Sequence, residues 1–227
     1  MSNKLDHIAL ILDGNKRWAR ENRKSYPIGY TKGFENIKNI VRYSQALEIS
    51  YVTLFALSSE NFNRSSINTI YKIIYDNFIQ IFNELVQEKG VKIKIFGSRI
   101  NLPKKIVDIF NNIEKLSINN KALNLNIAFN YGFKDEIKNI LHKVNSEKLF
   151  INIDNEQEIK KLFNLGEFPD PDLLIRTGGY KRLSNFIMYN LTYTELFFTD
   201  TLWPEFSEKE FNSIIKKYLT INRKYGL

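Results

Sequence analysis

Four short stretches of the chain concentrate side chains able to hold and activate anions. They are Asp13-Gly14-Asn15-Lys16-Arg17, the run Ser58-Ser59-Glu60-Asn61-Phe62-Asn63-Arg64, Asn130-Tyr131-Gly132, and Arg176 through Ser184. Asp13 closes an apolar run and precedes a glycine. Glycine lets backbone approach a ligand closely, free amides at a helix start favour phosphate, and the Arg17 guanidinium presents a planar fork of donors matched to phosphate oxygens. The Asp13 carboxylate would repel phosphate unless a divalent cation lay between them, and magnesium commonly joins one or two carboxylates to substrate phosphates. Aspartate is equally a favoured helix cap, so spacing alone leaves both readings open. The Ser58–Arg64 run offers hydroxyls, a carboxylate, amides and a guanidinium, or simply a solvated turn. Arg176, Lys181, Arg182 and Ser184 around Gly178-Gly179 form either a diphosphate clamp or a basic surface turn. Glu195, beside Leu196, Phe197 and Phe198, needs an arginine or a metal as partner.

Several other chemistries find no support. The only histidines, His7 and His142, fall in a strand and a helix, which leaves little room for a Ser–His–Asp triad. No Walker A or Gly-x-Gly-x-x-Gly pattern occurs, and with no cysteine in the chain disulfides and thiolate metal sites are excluded. The net charge of +8 fits nucleic acid, an anionic surface or a phosphorylated small molecule, but zinc-finger, RNA-binding and basic-zipper signatures are missing. No apolar run reaches the roughly 20 residues of a membrane span. The polar start, Met1 to Asp6, has no signal-peptide character, and the expectation is a cytoplasmic, soluble protein.

The elements that must position these residues alternate between strand and helix patterns. Strands are expected at His7–Leu12, Tyr51–Ala56, Val91–Gly97, Leu123–Phe129, Leu173–Arg176 and Glu195–Phe198. Helices are expected after Asp13 (carrying Trp18), at Phe34–Leu47, Ile67–Glu88, from an Asn101 cap with Pro103 in the first turn, Phe133–Val144 and Ser207–Leu219. Val91–Gly97 alternates with Lys92 and Lys94, as a half-exposed edge strand does. The pattern predicts one α/β domain over residues 1–227 with a mainly parallel six-stranded sheet flanked by helices. Ligands of such sheets bind beyond the carboxyl ends of the strands, where the four stretches lie.

Taken together the stretches resemble the motifs of cis-prenyltransferases of the undecaprenyl diphosphate synthase type. The resemblance rests on His7-Ile8-Ala9-Leu10-Ile11-Leu12-Asp13-Gly14-Asn15-Lys16-Arg17-Trp18-Ala19, on Leu54 through Arg64, on Leu125-Asn126-Ile127-Ala128 with Asn130-Tyr131-Gly132, on Asp172 through Gly179, on Arg182-Leu183-Ser184-Asn185-Phe186, and on Tyr193 through Trp203-Pro204. These motifs fall in family order along nearly the whole chain. The resemblance implies a magnesium-dependent transferase that lengthens an allylic diphosphate, farnesyl diphosphate by default, with isopentenyl diphosphate. The product would be a long polyprenyl diphosphate such as the undecaprenyl cell-wall carrier precursor. It further implies a homodimer with an apolar tunnel and peripheral membrane contact during product release.

By the same resemblance Asp13 is the essential carboxylate and, with Glu195, holds magnesium; Asn61 takes part in proton removal. Gly14, Asn15, Lys16 and Arg17 would grip the allylic diphosphate, with Trp18 beside them as part of the substrate-binding set. Ser58, Ser59, Glu60, Phe62 and Arg64 would line the site, and Arg176, Arg182, Leu183 and Ser184 would hold isopentenyl diphosphate. The chain departs from the family pattern at Lys16 (usually glycine), Phe62 (tryptophan), Tyr26 (arginine), Tyr30 (histidine) and Tyr180 (glutamate). Tyr26 and Tyr30 could still bond phosphate but bring no charge, and Lys16 is expected to supply some of it. A non-catalytic partner subunit is the competing reading; retention of Asp13, Asn61, Arg176 and Arg182 speaks against it.

Overall fold

The computed structural model describes residues 4–61, 67–88 and 90–222. Strands β1 (His7–Ile11), β2 (Tyr51–Ser58), β3 (Val91–Phe96), β4 (Leu123–Tyr131), β5 (Leu173–Arg176) and β6 (Glu195–Phe198) form a single sheet in the order β3-β4-β2-β1-β5-β6, and every pairing is parallel. Around it run α1 (Asn15–Glu21), α2 (Tyr26–Ala46), α3 (Ile67–Ile73), α4 (Ile79–Asn83), α5 (Lys104–Ser117), α6 (Phe133–Ser146), α7 (Glu156–Lys160) and α8 (Glu208–Leu219).

A strand covered on both faces reads as a continuous apolar run, and β1 is buried at all five positions. Its successive side chains enter opposite cores, as the pleat requires. Ile8 and Leu10 join the larger core with Ile37, Ile40 and Val41 of α2, Ile70 of α3, Phe110 of α5 and Phe211 of α8. Ala9 and Ile11 join a smaller core with Phe55, Tyr131, Leu174, Phe186 and Leu191. On β3, Val91, Ile93 and Ile95 are buried while Lys92 and Lys94 are half-exposed, the pattern expected of this edge strand. Among the described residues no helix is long and apolar enough to cross a membrane.

Three elements differ from their sequence expectation. Helix α2 starts at Tyr26, with Pro27 in its first turn, rather than at Phe34. Gly29 and Gly33 read as interruptions, but they serve helix packing: a Cβ on Gly29 would lie 2.5 Å from the Asn15 carbonyl oxygen, and one on Gly33 would collide with Asn15 Oδ1. The helical stretch 67–88 is divided by π-helical turns at Ile74–Phe78 and Glu84–Glu88. Helix α5 begins after Pro103, while Asn101 adopts a left-handed conformation (φ 63°) outside it.

Candidate active site

The carboxyl ends of the three central strands, β2, β1 and β5, converge on Asp13. In the β1–β5 register Ile11 faces Arg176, so Asp13 lies just beyond the strand end and Arg176 at it. Thr177 fixes the backbone there: its hydroxyl accepts from the Asp13 amide at 3.1 Å and donates to the Asp13 carbonyl at 2.8 Å. The Trp203 amide also donates to that carbonyl, at 3.0 Å. The carboxylate is divided between two cations, Arg17 Nη2 to Oδ1 at 3.1 Å and Arg176 Nη2 to Oδ2 at 2.9 Å. The Arg176 side chain is 3% exposed and that of Asp13 29%, so the pair is rooted in the core and opens outward at the carboxylate.

Arg176 Nη1 donates to Ser184 Oγ at 2.7 Å and to the Arg182 carbonyl, while Nε has no partner among the described residues. Ser184 and Asn185 are both left-handed, with φ of 52° and 63°. Each costs on the order of 1 kcal/mol for a residue with a Cβ. The surroundings hold them there: the Phe133 and Lys134 amides donate to the Asn185 carbonyl and Oδ1 at 2.8 and 2.9 Å. Beneath this loop Phe186 stacks on Phe55 with ring centroids 4.6 Å apart. Gly178 (φ 83°) tolerates no side chain, since a Cβ would meet Arg17 Nη2 and the Asp13 carbonyl.

Asp13 separates two polar cavities. The larger, about 690 Å³, is lined by Ser58, Glu60, Asn61, Arg176, Tyr180, Arg182 and Ser184 among others. The smaller, about 190 Å³, is lined by Gly14, Asn15, Lys16, Arg17, Tyr30 and Asn61. Leu12, Asp13, Ala56 and Asn61 line both. The Asn61 amide donates to Ser58 Oγ at 3.3 Å, which ties the turn after β2 to the strand end. A third, apolar pocket of about 40 Å³ continues from the smaller one past Tyr30, Phe34, Ile37, Ile70 and Phe129.

Other expected site residues fall elsewhere. Trp18 is buried on α1, donates from Nε1 to Glu205 Oε1 at 2.8 Å, lies under Lys32, and lines none of these three cavities. On a seven-residue helix whose preceding turn faces the cavity, the next position turns inward, so Trp18 packs rather than binds. Ser59 is turned from the larger cavity toward α6, donating to Asp135 Oδ2 at 2.6 Å. Leu183 packs on the smaller core. Tyr26 is half-exposed beneath Lys16, whose Nζ is 5.6 Å from its ring centroid. Glu195 opens β6 opposite Leu173, at the amino end of β5, about 10 Å of strand from Arg176, so one chain does not bring it to Asp13. Phe62 and Arg64 lie outside the described residues.

Sequence reasoning passed over Thr177 and Lys134, and noted Tyr180 only as a departure. Thr177 could have been read from its place next to a strand-end arginine. Tyr180 carries no pattern that reveals its neighbours: Arg182, Arg17 and Arg176 lie with Cζ at 4.2, 4.8 and 5.7 Å from its ring centroid.

The chain is similar to known proteins along nearly its whole length. Residues 11–226 match the family described as "Putative undecaprenyl diphosphate synthase". An isoprenyl transferase of Aquifex aeolicus is 39% identical over 100% of this chain and 98% of its own. The ditrans,polycis-undecaprenyl-diphosphate synthase ((2E,6E)-farnesyl-diphosphate specific) of Pasteurella multocida is 35% identical over 97% of this chain and 94% of its own. The crystal structure of lavandulyl diphosphate synthase from Lavandula x intermedia, in complex with dimethylallyl diphosphate, superposes with a TM-score of 0.88 at 32% identity, covering 98% of both chains. With the match spanning sheet, strand-end loops and nearly every residue, the chain belongs to the undecaprenyl diphosphate synthase family of cis-prenyltransferases and is a transferase of prenyl groups.

Proposed function

We propose that this transferase condenses isopentenyl diphosphate repeatedly onto farnesyl diphosphate, with magnesium, and releases undecaprenyl diphosphate. The observation that carries the reading is the place of Asp13, held by Arg17 and Arg176 on the divide between two polar cavities, one of which continues into an apolar pocket. Two diphosphates and one hydrocarbon chain need such an arrangement.

In this reading the smaller cavity takes the allylic diphosphate on Gly14, Asn15, Arg17 and Tyr30, and the larger takes isopentenyl diphosphate on Arg176, Arg182 and Ser184. The cationic groups stabilise the negative charge that grows as the allylic C1–O bond breaks and diphosphate leaves with the electron pair. The terminal alkene carbon of isopentenyl diphosphate forms the new bond to C1, and a proton leaves C2 of the added unit. Holding both substrates side by side replaces a poor bimolecular encounter by an oriented one. Asn61 faces both cavities; its amide is too weak a base to take the proton and instead orients the phosphate oxygen or water that does. Lys16, placed over Tyr26, brings positive charge to the allylic side.

Magnesium fits the donor set in one way. Among the described residues no three His, Asp or Glu side chains converge on a metal position; Asp13, on the divide between the two cavities, is the carboxylate that would hold the ion together with substrate phosphate. When bound, magnesium neutralises charge on the departing diphosphate. The family resemblance further supports a homodimer working in the cytoplasm, with peripheral membrane contact as the product leaves.

The test is incubation with farnesyl diphosphate, labelled isopentenyl diphosphate and magnesium, with product sizing, parallel arms lacking magnesium or starting from geranylgeranyl diphosphate, and size-exclusion measurement of the active species. Magnesium-dependent incorporation into an 11-unit product from the farnesyl starter is expected. No incorporation in any arm sinks the reading.

A further inference from the structure

We infer that Tyr180 is a positioning residue that organises the arginines of the diphosphate site through its ring, and that it does so without reducing their charge. The inference rests on the function proposed above.

Tyr180 is fixed by its approach. Gly178 and Gly179 precede it with φ of 83° and 80°, and their amides donate to the Thr201 and Thr199 carbonyls, each at 2.8 Å. The turn is therefore laced to the segment after β6, and the ring it delivers sits among three guanidinium groups at 4.2, 4.8 and 5.7 Å. All three fall within the range over which the negative face of an aromatic ring attracts a cation. The hydroxyl makes none of these contacts.

The need for such a centre follows from the charge count. Arg17 and Arg176 share the single carboxylate of Asp13, and among the described residues Arg182 has no ion-pair partner. Among the described residues only Asp13 pairs with any of these three positive groups, and although Glu60 lines the same cavity as Arg176 and Arg182, the partly exposed Arg17 and the exposed Arg182 repel the anchored Arg176 and each other. A carboxylate in place of Tyr180 would hold them, but it would cancel one positive charge and set a further negative charge beside the incoming diphosphate. The ring offers attraction with no net charge, so Arg182 and Arg17 are held while the site keeps its full surplus. At 44% exposure, Tyr180 can be replaced with little consequence for folding.

The experiment compares wild type with Tyr180→Leu, Tyr180→Phe and Tyr180→Glu. Steady-state kinetics on isopentenyl diphosphate are measured at several ionic strengths, alongside calorimetric titration with inorganic pyrophosphate. Loss of two close cation–π contacts predicts that Tyr180→Leu raises KM for isopentenyl diphosphate roughly tenfold while kcat changes less than about threefold. Tyr180→Phe should recover the wild-type KM. Tyr180→Glu should show a shallower rise of KM with salt than wild type, because its site carries one positive charge fewer.

Unchanged KM and pyrophosphate affinity in Tyr180→Leu would overturn the inference, as would a Tyr180→Phe defect equal to that of Tyr180→Leu, which would assign the role to the hydroxyl. A salt dependence in Tyr180→Glu identical to wild type would overturn the charge argument. Failure of the wild type to turn over would instead strike the proposed function, while the pyrophosphate titration still reports on the ring.

Discussion

The two ends of β1 are both polar, and they are built on opposite plans. At the amino end, Asp172 Oδ2 accepts the amides of Asp6 and His7 at 2.8 and 3.0 Å, and Asp6 Oδ1 accepts Ser50 Oγ at 2.6 Å. His7 is fully buried, with Nδ1 2.6 Å from the Pro169 carbonyl and Nε2 2.7 Å from Thr53 Oγ1. Both nitrogens of the ring have partners, and His7 lines none of the cavities described above. At the carboxyl end, Arg176 Nε has no partner among the described residues, Ser184 and Asn185 are held left-handed, and two cavities open on the carboxylate. One cluster closes the sheet; the other leaves cationic groups facing open cavities, where the proposed function places substrate charge. The same strand thus separates stability from activity over five residues.

That contrast can be broken by experiment. The largest expected effect is at the open end: Asp13→Ala should lower turnover by about 10³-fold or more, in line with removal of a preorganised electrostatic group. Its melting temperature should fall little, because the carboxylate is partly exposed and Arg176 keeps Ser184 and the Arg182 carbonyl as partners. Labelled isopentenyl diphosphate incorporation and a thermal melt on the same sample decide it; a collapse in stability that matches the loss of activity would erase the distinction.

The reciprocal change, Asp172→Ala, strands two amides and should cost about 2–4 kcal/mol. In a chain of this length that lowers the melting temperature by roughly 5–15 °C. Turnover per folded molecule should remain within about twofold, and a large loss of kcat would show that the closed end reaches the chemistry.

Acid should find the same end. Burial lowers the pKa of His7 from 6.5 to about 4. The unfolded chain then binds a proton that the folded chain refuses. This contribution is fully present above pH 6.5 and is lost as pH falls toward 4, amounting to about 2 kcal/mol between pH 7 and pH 5. Urea unfolding at the two pH values measures it, and His7→Gln should flatten the difference. Smallest is Ser50→Ala, which removes a hydroxyl from Asp6 and should cost about 1 kcal/mol by the same assay.

Much of the carboxyl-end cluster could be read from the chain because two local signals coincide there: an apolar run long enough for a buried parallel strand, and charged or glycine residues directly after it. Asp13 and Arg176 are each legible in this way, and register alone makes them neighbours. Glu195 shows the limit of the method. It opens the expected strand Glu195–Phe198, so in a parallel sheet it stands at the opposite end from Asp13, and only the family resemblance pairs the two. Trp18 belongs to the motif that resembles the family's, yet one further residue of helix beyond Arg17 rotates it into the core. The first two turns of α2 were hidden because Gly29 and Gly33 signal a break locally and meet Asn15 only in three dimensions. Tyr180 is least legible, since its significance lies in three arginines contributed by α1, the end of β5 and the loop that follows it.

The pairing of Asp13 with Arg176 spans 163 residues. At a ribosomal pace of about 5–20 residues per second, roughly 8–30 seconds pass between synthesis of the carboxylate and of its guanidinium partner. The amino-terminal half of the nascent chain can pair β1 with β2 and cover them with α2, yet it must wait for β5 before a working centre exists. In the proposed function catalytic competence is therefore gained late, and a truncated translation product ending before β5 would carry Asp13 without the Arg176 that holds it.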